Sequence, residues 1–155
     1  MLIRKADARW MGNLIKGAGR LTVGSGAINV PYSLKSRLED GQSATNPEEL
    51  LGAAHAGCFT MALVAQLSGA GFTPTEIQTE AKVSFDKVGD GFAITRVDLQ
   101  TVADIDGMDD ATFQTLAADA KKNCPVSKAL AAIDIGVKAT LKQTEPTPVT
   151  AVGKD

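Results

Sequence analysis

The chain has 155 residues, 44% of them hydrophobic, which is enough apolar material for one core and hardly for two. Its 16 basic and 18 acidic residues nearly balance and no run of like charge exceeds two, so neither nucleic acid nor an anionic membrane is an expected partner. A metal site is poorly supplied, because His55 is the only histidine and the two cysteines lack the short spacings of zinc ligands.

The opening, Met1-Leu2-Ile3-Arg4-Lys5-Ala6-Asp7, has no apolar core segment and no small-residue cleavage pattern, so the expectation is a cytoplasmic protein without a secretory signal. A β meander is predicted next, over Ala8–Lys16, Arg20–Val23 and Ala27–Leu34, with turns at Gly17-Ala18-Gly19 and Gly24-Ser25-Gly26. A polar loop covers Lys35–Ala44. A long helix then starts with Asn46 as N-cap, Pro47 in the first position and Glu49 placed to close a capping box, and Gly69-Ala70-Gly71 ends it.

From Leu50 to Thr75 only His55 and Cys58 can ionise, a run that invites a transmembrane reading. Gly52, Gly57, His55 and Gln66 weigh against that reading, and there are no flanking basic clusters. Gly52, Ala53, Ala54, Ala56, Gly57, Ala62 and Ala65 remove bulk on nearly every side and let other backbones approach. A helix apolar all round needs cover all round, and a homodimer that packs two such helices together supplies it.

Ile77, Thr79, Ala81, Val83 and Phe85 alternate with polar residues, as in a half-buried strand, and Gly89-Asp90-Gly91 turns the chain. In the return strand Phe92 and Ile94 share one parity while Val97, Leu99 and Thr101 take the other, which predicts a bulge near Thr95-Arg96. Asp110–Lys122 reads as an amphipathic helix, Pro125–Ala132 as a short one, and Ile133 to Leu141 as a closing strand. This order makes an α+β domain over residues 1–143, with 144–155 expected to be a disordered tail. No phosphate-binding glycine loop is visible, since no helix follows Gly24-Ser25-Gly26.

The cysteines are the chemical signal. Cys58 is centred in the uncharged helix, where desolvation raises a thiol pKa and leaves it inert unless something activates it. Cys124 precedes Pro125, so it is expected at a helix N-cap, where free N–H groups and the helix dipole favour a thiolate. A small core hydrophobe and an incidental cap are the plain alternatives, and a structural disulfide is another. In a cytoplasmic chain redox or catalytic use is favoured over stapling.

An activated thiol needs a cation, and arginine suits a dry site because its guanidinium stays charged and can bond a sulfur and a carboxylate together. Of the five arginines, Arg4, Arg9, Arg20, Arg37 and Arg96, Arg37 lies in the polar loop just before the long helix and is the first candidate. Glu48 precedes Cys58 by ten residues, about 15 Å along a straight helix. It therefore acts by holding the arginine, or reaches the thiol through a fold in the helix start or from another subunit. A favourable charge in the first helical turn is its plain role.

Thr45-Asn46-Pro47-Glu48-Glu49-Leu50-Leu51-Gly52-Ala53-Ala54-His55-Ala56-Gly57-Cys58-Phe59, with Asn123-Cys124-Pro125-Val126-Ser127, closely resembles the osmotically inducible protein C (OsmC) family. Pro31-Tyr32-Ser33-Leu34-Lys35-Ser36-Arg37 and Gly71-Phe72-Thr73-Pro74-Thr75 extend the resemblance to about residues 6–142. It implies an OsmC-like fold, antiparallel β-sheets wrapped around long central helices in an intertwined homodimer. It also implies a thiol peroxidase for organic hydroperoxides and hydrogen peroxide, acting in oxidative and osmotic stress defence without metal, flavin or other cofactor.

By the same resemblance Cys58 matches the peroxidatic cysteine, Cys124 the resolving one, Arg37 the thiolate-stabilising arginine and Glu48 its carboxylate partner. Gly19-Arg20 resembles the arginine loop of the sister branch, the organic hydroperoxide resistance proteins, so Arg20 stays the runner-up. An external thiol, dihydrolipoamide-linked by family expectation, returns the pair to the reduced state. The rival readings are a non-enzymatic redox sensor and a dimeric binder of a small apolar ligand.

Overall fold

β1 (Ala6–Met11), β2 (Ala18–Val23) and β3 (Asn29–Tyr32) form an antiparallel sheet in the order β1-β2-β3, in the computed structural model, which describes residues 1–142. The expected tail at 144–155 lies outside the described residues. β1 stops at Met11, short of the predicted Lys16, because Gly12 turns the chain at φ 90° and Asn13 then folds the next residues. Its Oδ1 accepts from the Lys16 N–H at 2.8 Å and its carbonyl from the Gly17 N–H at 2.8 Å. A Cβ on Gly19 would lie 2.3 Å from both the Arg9 carbonyl and the Tyr32 ring, so only glycine fits beneath that tyrosine.

The predicted loop over Lys35–Ala44 opens with a helix instead, α1 (Leu34–Leu38). Ser33 and Ser36 cap it reciprocally, a capping box with serine where Glu or Gln is usual. β3 accordingly ends at Tyr32, before Leu34.

α2 (Pro47–Gly69) starts as expected, with Asn46 Oδ1 accepting the Glu49 N–H at 2.8 Å. The Glu49 carboxylate does not close the box; it accepts from Thr45 Oγ1 at 2.8 Å. At the far end Gly71 takes φ 85°, and Phe72 and Gly71 donate to the carbonyls of Leu67 and Ser68 at 2.9 and 3.1 Å, a Schellman stop.

The second sheet has the order β4 (Glu76–Val88), β5 (Gly91–Asp104), β6 (Asp134–Lys142). It corrects the expectation of purely antiparallel sheets, since β6 pairs with β5 in parallel from Arg96↔Asp134 to Asp104↔Lys142. The reason is the connection: α3 (Asp110–Asn123) and α4 (Pro125–Ala129) carry the chain back to the end where β5 began, and such a crossover yields a parallel pair. α4 stops at Ala129, three residues short of the predicted end.

Contacts divide the chain into two compact units. One comprises Met1–Ala54 and Val83–Thr95; the other comprises His55–Lys82 and, among the described residues, 96–142. α2, β4 and β5 each contribute residues to both. The parity change predicted near Thr95-Arg96 falls at this boundary: Phe92 is exposed and Ile94 half-buried, whereas Val97, Leu99, Thr101 and Ala103 are buried.

Among the described residues every buried hydrophobic side chain belongs to the second unit, including Phe59, Leu63 and Leu67 of α2, Val97 and Leu99 of β5, and Phe113 of α3. Thr60, Thr79 and Thr101 cross that core as a hydrogen-bonded chain of hydroxyls at 2.8 and 3.0 Å. The first unit buries no hydrophobic side chain among its described residues. It carries instead an apolar groove of about 580 Å³ lined by Ala6, Ala8, Leu21, Val23, Ile28 and Leu50 with Ala53 and Ala54.

Candidate active site

α3 ends and α4 begins at Cys124, whose sulfur accepts the Ser127 N–H at 3.4 Å as the N-cap of α4, with Pro125 following it. The sulfur of fully buried Cys124 lies 3.2 Å from Cys58 Sγ on α2, within hydrogen-bond reach, so the two free cysteines, 66 positions apart in sequence, are in contact. Their environments push them in opposite directions. Burial pushes the Cys58 thiol above its ordinary value, and the hydrogen bond and charge of Cys124 add to the rise; the Val126 N–H works against both. Burial also acts to raise Cys124, but the Ser127 hydroxyl and N–H, helped by Cys58 and the Val126 N–H, outweigh it and bring that thiol below its ordinary value. Helix-start donors thus favour a thiolate at Cys124, while Cys58 still lacks a cation.

A second contact lies beside the sulfurs. His55 Nε2 and Ser127 Oγ are 2.8 Å apart, both residues buried, and burial holds the imidazole pKa below its ordinary value, so the ring is neutral. His55 Nδ1 is buried without a hydrogen-bond partner among the described residues.

Arg37 and Glu48 meet within the first unit. The guanidinium donates from Nη2 to Glu48 Oε1 at 2.6 Å and from Nε to both carboxylate oxygens at 3.1 Å, a fork that lysine cannot reproduce. Its Cζ lies 4.4 Å from the centroid of the Phe85 ring, so the same cation stacks on an aromatic face. α1 is held in place by two further bonds: Ser36 Oγ donates to the Thr45 carbonyl at 2.7 Å, and Asn46 Nδ2 donates to the Ser36 carbonyl at 3.0 Å. Of the routes open to Glu48, holding the arginine is the one with a contact. Among the described residues Arg37 Nη1 has no acceptor and is free for another anion.

Three of the other four arginines are engaged at the surface. Arg20 donates to the Asn29 side chain and carbonyl at 2.9 and 3.0 Å, Arg96 pairs with exposed Asp98 at 2.6 Å, and Arg4 bonds the neighbouring Ile3 carbonyl. Sequence reasoning brought forward Cys58, Cys124, Arg37 and Glu48 but gave no part to Phe85, Ser127 or the tether through Ser36 and Asn46. It used His55 only as an argument about metals and membranes and as a motif letter. The available signal was spacing, since His55 precedes Cys58 by three and Ser127 follows Cys124 by three, which puts each pair on one helix face.

Two free thiols in contact, one of them on a helix N-cap, thus lie in an α+β fold with a crossover to a parallel edge strand. Comparison with known proteins gives the family. The OsmC-like protein family model matches residues 39–138. Peroxiredoxin OsmC of Escherichia coli is 48% identical over 130 residues, covering 83% of this chain and 90% of that protein. The crystal structure of the organic hydroperoxide resistance protein OhrB of Bacillus subtilis superposes with a TM-score of 0.65 at 28% identity, covering 89% of this chain and 98% of that one. The OsmC-like protein of Mycoplasma pneumoniae, at 14% identity and a TM-score of 0.71, covers 92% of this chain and 100% of its own and shares the fold. The chain belongs to the OsmC family.

Proposed function

We propose that the protein is a cysteine-based peroxidase that reduces organic hydroperoxides, and hydrogen peroxide, in oxidative and osmotic stress defence. The observation that carries this reading is the contact between two free thiols at 3.2 Å in a chain 48% identical to a peroxiredoxin. Cys58 attacks the distal peroxide oxygen as thiolate; the S–O bond forms as the O–O bond breaks, the departing alkoxide or hydroxide takes up the proton that the thiol gave up and leaves as alcohol or water, and Cys58 becomes a sulfenic acid. Cys124, already in contact and favoured as thiolate by its helix start, attacks that sulfur to give a disulfide and water. An external dithiol, dihydrolipoamide-linked by family likeness, then reduces the disulfide by exchange.

Cys58 is the weak point of this scheme, because burial raises its pKa and the groups acting on it, Cys124 and the Val126 N–H, include no cation. We assign the missing charge to Arg37, held by Glu48. Its fork and aromatic stack fix the guanidinium while leaving Nη1 for a sulfur, and Arg20 is tied to its own sheet.

We further infer one domain over residues 1–143, because α2, β4 and β5 run through both compact units, and a homodimer located in the cytoplasm. Gly57, Met61, Val64 and Ser68 form an exposed stripe along α2, Met61 at 75% exposure, while Phe59, Leu63 and Leu67 on the other side are buried. The stripe and the first unit's groove call for apolar cover, and α2, although long and apolar enough to cross a bilayer, already packs one side, through Phe59, Leu63 and Leu67, into its own core.

The test is turnover with cumene hydroperoxide and with hydrogen peroxide, dihydrolipoamide being supplied. Sustained consumption of the organic substrate is expected. A single stoichiometric oxidation without turnover marks a redox sensor, and Cys58 left unmodified by a small thiol reagent at neutral pH marks a protein that merely binds an apolar ligand.

A further inference from the structure

The contact between His55 and Ser127 has no task in the chemistry above. His55 and Cys58 share one face of α2, and Cys124 and Ser127 share the start of α4, so the two helices meet at two rungs. One rung is Cys58 to Cys124 at 3.2 Å, and the other is His55 Nε2 to Ser127 Oγ at 2.8 Å. The first rung changes with every catalytic cycle, from thiols to sulfenic acid to disulfide; the second has no redox chemistry and does not change.

Hydrogen bonding fixes the direction of the second rung. Ser127 bonds Cys124 through its N–H at 3.4 Å. A buried lone pair without a donor is cheaper than a buried N–H without an acceptor, so the ring proton belongs on Nε2, with the Ser127 oxygen accepting it, rather than on the unpartnered Nδ1. Nδ1 is then a bare lone pair, in keeping with its being buried and without a donor. Protonating that nitrogen would place an unpaired imidazolium in the core, so His55 serves as a fixed neutral donor.

We propose that His55 and Ser127 are the positioning residues of the resolving step: they hold Cys124 in register and hydrogen-bonded as a nucleophile while Cys58 carries the sulfenic oxygen. During that interval the sulfur-to-sulfur hydrogen bond is gone, while the second rung is kept. In the step itself the Cys124 thiolate attacks Cys58 sulfur, the S–S bond forms as the S–O bond breaks, and the departing hydroxide takes up the proton that Cys124 gave up. The inference rests on the reading of Cys124 as the resolving cysteine.

The experiment is a single turnover of the fully reduced protein with one equivalent of cumene hydroperoxide, followed by timed quenching and intact-mass analysis. Dimedone trapping reports Cys58 sulfenic acid, and loss of two free thiols reports the disulfide. Ser127→Ala is expected to form sulfenic acid at the wild-type rate and disulfide about tenfold more slowly, the effect of losing the hydrogen bond that makes the second rung. His55→Leu should match it, while His55→Gln, whose amide N–H can donate where Nε2 did, should recover most of the wild-type rate. Disulfide formation at the wild-type rate in Ser127→Ala, or an equal slowing of both steps, overturns the inference and leaves the peroxidase reading standing. A wild-type protein that consumes the peroxide without ever forming the disulfide removes Cys124 from the resolving role, and the inference with it.

Discussion

The second unit holds every buried hydrophobic side chain among the described residues and both thiols, whereas the first holds the arginine-carboxylate pair and an open apolar groove. The packed unit can keep two sulfurs in contact because its side chains leave them nowhere else to go, but the same burial raises the pKa of Cys58. The open unit cannot fix a thiol pair. It can present a guanidinium 37% exposed, whose charge is kept by hydration, a fork and an aromatic face. Rigidity and charge make opposite demands on burial, and this chain meets them with different segments.

The sharpest break of that comparison is a core deletion. Phe113→Ala, in the filled core, is expected to cost about 3–5 kcal/mol of stability by transfer and cavity effects, while Leu14→Ala, in the exposed turn of the first unit, stays within about 0.5 kcal/mol. Chemical denaturation measures both, and similar losses would contradict the unequal packing. Next comes the cation. Arg37→Lys keeps charge but loses the fork, and about a 10- to 100-fold fall in peroxide turnover is expected, against little change for Arg20→Lys. Alkylation of Cys58 should begin at higher pH in Arg37→Lys, because losing a stabilising partner raises the thiol pKa; the reverse ranking of the two variants would move the activating role to Arg20.

A smaller effect tests the exposed stripe. Met61→Glu places a charge on it and should weaken the dimer about tenfold, read by light scattering against concentration, with thiol contact in each chain retained. A protein that is monomeric and fully active before any substitution would remove the dimer. The mildest probe is pH. The folded-state pKa of His55 is lowered by burial, so the unfolded chain binds the extra proton first as pH falls below the ordinary histidine value of about 6.5. Stability should therefore decline on acidification through that range, by no more than about 1.4 kcal/mol per pH unit, and the decline should shrink in His55→Gln. A profile identical in the two proteins would show that His55 is not buried as described.

Much of this was legible in the sequence because it is local. The α2 start at Asn46-Pro47, its end at Gly71 and the Cys124-Pro125 cap are set by residues within one turn of each other. The misreadings are local signals in unfamiliar dress: a strand pattern through Leu14 and Ile15 cut short by Gly12 and Asn13, and a capping box written with two serines. The parallel β5-β6 pairing was not legible, since only the crossover through α3 and α4 fixes it. For the site, motif likeness pointed to four residues, but the partners that give them geometry, Phe85 and Ser127, sit 48 and 72 positions from Arg37 and His55 in turn. Nothing in either short motif announces such distant neighbours.

The central claim is that Cys58 is the attacking thiol and Cys124 its resolving partner. The direct measurement is one equivalent of cumene hydroperoxide added to the reduced wild type, Cys58→Ser and Cys124→Ser, followed by substrate consumption, free-thiol count and intact mass. The account predicts prompt consumption and a loss of two hydrogens in the wild type. Cys58→Ser should be folded but slower by at least roughly 10³-fold, and Cys124→Ser should consume the substrate once and stop with oxygen on Cys58. A folded Cys58→Ser protein that consumes the hydroperoxide at the wild-type rate would contradict it.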